Sequence, residues 1–124
     1  TLFRSNGKSS ITRYDDLGAY RILITGKHNP ELKRFSDELL GELIKLDQLN
    51  NTELLNTLHV ILNCNFNLKE ASKRLFIHYN TIRYRVSKIE EIAKVNINST
   101  ADRLNLQLAV QIKRMQDVTK NNSY

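Results

Sequence analysis

Asn67-Leu68-Lys69-Glu70-Ala71-Ser72-Lys73-Arg74-Leu75-Phe76-Ile77-His78-Tyr79-Asn80-Thr81-Ile82-Arg83-Tyr84-Arg85-Val86-Ser87-Lys88-Ile89-Glu90-Glu91-Ile92-Ala93 reads as two helices joined by a tight bend. Asn67 and Glu70 have the Asn-x-x-Glu spacing of a capping box, which starts a helix at Leu68. Leu68, Ala71, Ser72 and Leu75 form its inner face, and the small pair Ala71-Ser72 lets a second helix cross closely. Phe76-Ile77-His78 is a three-residue connection, with Ile77 placed to plug the core. A second helix then begins near Tyr79, in the layout of a helix-turn-helix.

The second helix divides by face. Ile82, Val86, Ile89 and Ala93 recur at helical spacing and must point inward. Asn80, Tyr84 and Ser87 lie opposite, with Arg83 and Arg85 on the flanks and Lys88 near Arg85. In this layout the first turns of the second helix enter the major groove of a duplex. Tyr79, Asn80, Thr81, Arg83 and Tyr84 are therefore the residues expected to reach base edges. Arginine pairs with guanine and asparagine with adenine in bidentate fashion. Lys73, Arg85, Lys88 and the Thr81 hydroxyl suit phosphates, which fix position rather than sequence. His78, just before the second helix, has phosphate contact open to it, or an ordinary capping or surface role. Glu90 and Glu91 fall where the helix leaves the groove.

Charge supports this placement. The chain has 19 Lys/Arg against 13 Asp/Glu, a net charge of +6. Residues 31–66 are acidic on balance, whereas residues 67–94 hold seven Lys/Arg against three Glu. The basic surplus thus peaks at the two-helix segment, as a footprint for phosphate requires. The other function classes find little in the sequence. A single cysteine, Cys64, gives no zinc or disulfide framework. The three histidines, His28, His59 and His78, stand in no metal-ligand spacing. No phosphate-binding glycine loop or nucleophile elbow occurs, so neither catalysis nor a cofactor is expected. No apolar run approaches the ~20 residues of a membrane helix. The DNA-binding reading makes a cytoplasmic, nucleoid-associated location the expected one.

Elsewhere the pattern is helical throughout. Asp15 or Asp16 caps a short helix to about Thr25 with Leu17, Tyr20 and Ile24 inward, although Ala19–Ile24 also fits a strand. Asn29-Pro30 starts a long helix carrying Leu32, Phe35, Leu39, Leu43 and Leu46, widened by Leu40 and Ile44. Thr52 is the expected cap of a helix with Leu54, Leu55, Leu58, Ile61 and Leu62. Ser99 or Thr100 caps the last helix, whose inner stripe is expected at Ala101, Leu104, Leu108, Ile112 and Met115. Leu106 and Val110 fall outside that stripe, as part of a dimer contact or packed on the 15–25 helix. The expected architecture is an all-α helical bundle over residues 14–118. Residues 1–13 are expected to link to a missing N-terminal region, since the chain starts at Thr1, and 119–124 to be a disordered tail.

Asn80-Thr81-Ile82-Arg83-Tyr84-Arg85-Val86, followed by Ile89-Glu90-Glu91-Ile92, closely resembles the signature of the PucR/CdaR-type bacterial transcription regulators. The likeness extends to Tyr14-Asp15-Asp16-Leu17-Gly18, Leu39-Leu40-Gly41, Glu53-Leu54-Leu55 and Asp102-Arg103-Leu104, and covers roughly residues 12–112. It implies a C-terminal helix-turn-helix domain that binds double-stranded DNA, with an effector metabolite sensed by a region absent from this chain; a homodimer on DNA is expected from the usual two-half-site geometry of the motif. The helix pair is also similar to that of the factor for inversion stimulation, a nucleoid protein. This keeps an architectural DNA binder open as an alternative, beside a protein-interaction module. The chain departs from the PucR/CdaR pattern at Tyr79, where the family has arginine, and at Ser72, where it has alanine. Phe76 stands at a turn position that is often glycine in other helix-turn-helix proteins, and is strained if positive φ is needed there.

Overall fold

The computed structural model describes residues 18–121, which form six helices and the turns between them: α1 Gly18–Thr25, α2 Pro30–Asn50, α3 Leu54–Asn63, α4 Leu68–Leu75, α5 Tyr79–Ala93 and α6 Thr100–Asn121. There is no strand among them, so Ala19–Ile24 is helical. The expected linker at 1–13, Asp15, Asp16, Leu17 and residues 122–124 lie outside the described residues. Helix α6 runs through Asn121, so the tail expected from 119 is helical in its first three residues.

The helix ends show how short polar side chains set the boundaries. Asn29 accepts from the amide of Glu31 at 2.9 Å and Pro30 takes the first helical position, as the sequence indicates. The start of α3 differs from expectation. Thr52 does not cap it; Asp47, in the last turn of α2, accepts from the amides of both Leu54 and Leu55 at 2.8 Å. The Thr52 hydroxyl also bonds to this carboxylate. One carboxylate with two oxygens satisfies two of the four orphan amides, and its charge suits the helix N-terminus. At α6, Ser99 Oγ accepts from the Asp102 amide, while Asp102 reaches back to the amide of Asn96.

Helix α2 packs against α3, α5 and α6, and α4 closes on α3 and α5. The main core joins Leu40 and Leu43 of α2, Leu54, Leu58 and Ile61 of α3, Ala71 of α4, Ile82, Val86 and Ile89 of α5, and Leu106, Ala109 and Val110 of α6. Where α2 crosses α6 the partners are small. Buried Ser36 donates to the carbonyl of Ala109 at 3.0 Å, which satisfies its hydroxyl inside the core. A second cluster, Leu23, Ile112 and Met115, seats α1 on α6, with Leu23 rather than Ile24 as the buried residue.

The inner face of α6 also needs correction. Ala101 is exposed and Leu104 is 62% exposed, while Leu106 and Val110 are buried within the chain's own main core. They are therefore unavailable for a dimer contact, and it is Ile112 and Met115 that meet α1.

Candidate nucleic-acid interface

The bend between α4 and α5 is built almost entirely from backbone bonds. Asn67 accepts from the Glu70 amide at 3.0 Å and starts α4 at Leu68. The second half of the expected capping box does not form, because the Asn67 amide already donates to the carbonyl of Cys64. At the other end Phe76 adopts φ 58°, ψ 40°, so the left-handed turn position is filled by phenylalanine. The Phe76 amide reaches the Lys73 carbonyl at 3.2 Å and the Ile77 amide the Ser72 carbonyl at 3.1 Å. This pair of bonds is a Schellman closure, which normally favours glycine at the left-handed residue. The chain turns out of α4 there, and Ile77 packs against the core as expected. The Ser72 hydroxyl has its partner in the Lys69 carbonyl at 2.8 Å.

His78 ends the bend as the cap of α5, its Nδ1 accepting from the Asn80 amide at 3.0 Å. A neutral imidazole that accepts at Nδ1 carries its proton on Nε2, and so keeps one donor for an outside acceptor. Helix α5 then buries Ile82, Val86 and Ile89, while Ala93 is only partly covered. Its opposite face is open to solvent: Asn80, Thr81, Arg83, Tyr84 and Ser87 are all exposed, Tyr84 by 64%.

The remaining expected residues differ in how far they are committed inside the chain. Tyr79 is half-buried and packs on the core, with the Arg83 guanidinium 5.9 Å from its ring centroid. Arg85 is half-buried and donates Nη1–H to the Thr57 hydroxyl at 2.9 Å, leaving its other donors for a further oxygen. Lys88 lies 6.0 Å from the Tyr84 ring centroid and 3.7 Å from a Glu91 oxygen. Lys73 is exposed and makes no ion pair among the described residues; on the same helix Arg74 pairs with Glu70 at 3.6 Å. Glu90 does not face a ligand at all, since its carboxylate accepts from the Ile97 amide and holds the loop before α6.

Thr57 is the residue that sequence patterning misses. It lies on α3, it is fully buried, and only the fold brings it to Arg85. Among the described residues no group of His, Cys, Asp and Glu could hold a metal ion, and no helix is long and apolar enough to cross a membrane.

Comparison with known proteins bears on this geometry directly. Residues 54–112, from the start of α3 to the middle of α6, match the PucR C-terminal helix-turn-helix domain. The proline-responsive transcriptional activator PutR of Bacillus subtilis (strain 168) is 33% identical over 101 residues, which cover 82% of this chain and 25% of that protein. The purine catabolism regulatory protein of the same organism is 33% identical over 85 residues, 68% of this chain and 16% of that protein. The carbohydrate diacid regulator of Escherichia coli (strain K12) is 36% identical over 78 residues, 62% of this chain and 20% of its own length. The chain thus spans a quarter or less of these relatives. No solved structure gives a significant match. With its α4–α5 bend, buried Ile82 and Val86, and exposed Asn80, Thr81, Arg83 and Tyr84 inside the matched region, the chain belongs to the family of PucR C-terminal helix-turn-helix domains.

Proposed function

We propose that the chain is the sequence-specific DNA-binding domain of a bacterial transcription regulator, a binding module rather than an enzyme, acting in the cytoplasm. Helix α5 enters the major groove. Asn80, Thr81, Arg83 and Tyr84 face base edges, with Tyr79 beside them half-buried on the core rather than against a base, while Lys73, His78, Arg85 and Lys88 meet phosphates. Two copies bind adjacent half-sites about 10 base pairs apart, and a region outside this chain senses an effector.

The observation that carries this is the division of α5. Its aliphatic side is locked into the core by Ile82, Val86 and Ile89, so the exposed polar side at its start is held as one rigid surface. An Arg–guanine or Asn–adenine pair from such a surface discriminates by about 1–3 kcal/mol.

Selection of binding sites from random duplexes tests it. A conserved sequence is expected, arranged as two related half-sites. Each mismatch should cost about 1–3 kcal/mol, and log affinity should fall by about 0.9 per neutralised phosphate as log salt rises. Binding without sequence preference would make the chain an architectural binder, and a flat salt response would point to a protein partner.

A further inference from the structure

Arg83 is an exposed cation on the solvent side of α5, and among the described residues no carboxylate forms a salt bridge with it. The salt bridges of the described residues use Lys33, Arg34, Arg74, Lys88 and Lys113 instead. Its guanidinium carbon lies 5.9 Å from the centroid of the Tyr79 ring, four residues earlier on the same helix. That ring is itself fixed, because Tyr79 is half-buried and packed against the main core.

We propose that Tyr79 is a positioning residue for Arg83: its core-anchored ring pre-orients the guanidinium toward a guanine edge without neutralising it. The proposal rests on the DNA-binding reading of α5.

The physical reason is the choice of partner. A carboxylate at this place would order Arg83 too, but it would cancel the charge and occupy the planar N–H donors, and the pair would have to break on binding. An aromatic face attracts the cation through its quadrupole and takes none of its hydrogen bonds. All five donors stay available for a bidentate contact with guanine O6 and N7. Part of the side-chain entropy lost on binding is then already lost in the free protein. Arg85 shows the contrast: it is held through one of its donors, by Thr57.

The test uses the 124-residue chain and the best duplex recovered from random-duplex selection with the unaltered sequence. Tyr79→Phe keeps the ring, and Tyr79→Leu keeps apolar bulk for the core but removes the π face. Affinity is measured by fluorescence anisotropy for each, alone and together with Arg83→Ala, and folding is checked by thermal denaturation. Tyr79→Phe should bind within about 1.5-fold of the unaltered chain, while Tyr79→Leu should lose about three- to fivefold. In the Arg83→Ala background Tyr79→Leu should change affinity by less than about 1.5-fold. Repeating the selection with Tyr79→Leu should flatten the same base pair that Arg83→Ala flattens. Equal losses from Tyr79→Leu with and without Arg83 would overturn the proposal, as would a Tyr79→Leu chain that binds like the unaltered one. Failure of the unaltered chain to bind any duplex is a different result, and it would remove the DNA-binding reading itself.

Discussion

Arg85 and Thr57, 28 positions apart, are joined by a 2.9 Å hydrogen bond that ties the half-buried flank of α5 to the buried side of α3. The Thr57 hydroxyl also donates to the Glu53 carbonyl at 2.8 Å, so it serves one bond as donor and the other as acceptor. The two arginines of α5 are therefore unequal. Arg83 stands in solvent beside a ring, while Arg85 is half-buried and braces the recognition helix from behind.

Thr57→Val keeps the shape of the side chain and removes the hydroxyl, leaving a partly buried guanidinium donor without its partner. The expected cost is about 1–3 kcal/mol, a fall of roughly 5 °C or more in the thermal midpoint. Arg83→Ala should leave the midpoint nearly unchanged, since exposed substitutions stay within about 0.5 kcal/mol. Thermal denaturation followed by circular dichroism compares them; equal midpoints for the two variants would refute a bracing role for Arg85.

Phe76 combines two costs at one residue: a left-handed backbone at φ 58° and a side chain 92% exposed. Glycine adopts that backbone without the clash of a Cβ, and no packed ring is lost on replacement. Phe76→Gly should stabilise the domain by about 1 kcal/mol, raising the midpoint by about 4–8 °C. A lower midpoint would mean that the ring makes a contact in the folded chain.

The legible parts of the fold are those where one local rule operates. Ile82, Val86 and Ile89 repeat at helical spacing on an otherwise polar helix, so the buried face of α5 follows from period alone. Helix α6 offers no such contrast. Leu104, Leu106, Leu108, Ala109 and Val110 crowd two turns, and several stripes fit the spacing equally well. The choice among them is made by neighbours: α2 approaches at Ala109 through Ser36, and α1 at Ile112 and Met115 through Leu23. The α3 cap is hidden for a related reason, since Asp47 lies in the preceding helix rather than beside the amides it satisfies. In the candidate interface, spacing separates exposed from buried residues on α5. It says nothing of Thr57, whose meeting with Arg85 is a product of tertiary packing.

His59 on α3 gives the fold a pH dependence of definite sign. Burial lowers its pKa below the usual 6.5, and the nearby Arg114 adds to this; Asp117 works in the opposite direction. A group that prefers to be neutral in the folded state contributes full stability above its unfolded value. As pH falls through about 6.5 the unfolded chain takes up the proton first, and stability is lost down to the folded pKa. The midpoint should therefore hold steady from pH 8 to about 7 and decline below about 6.5. His59→Gln should decline less over that lower range. An identical decline in both chains would assign the effect to other groups.

Lys73 and Arg83 are expected to fail in different ways when removed. Lys73 lies in the last turn of α4, exposed and, among the described residues, without a carboxylate partner, as a phosphate contact requires. A phosphate contact releases counterions and is blind to sequence, so Lys73→Ala should weaken cognate and unrelated duplexes alike. It should also reduce the salt slope by about 1. Arg83→Ala removes the proposed base contact instead. It should cost about 1–3 kcal/mol on the cognate duplex, about five- to 150-fold, with little loss on unrelated DNA and the salt slope nearly kept. Anisotropy titrations of both duplexes across a range of salt separate the two patterns. If Arg83→Ala lowers the slope as Lys73→Ala does and leaves specificity intact, Arg83 is a phosphate contact, and sequence reading must fall to Asn80, Thr81 or Tyr84.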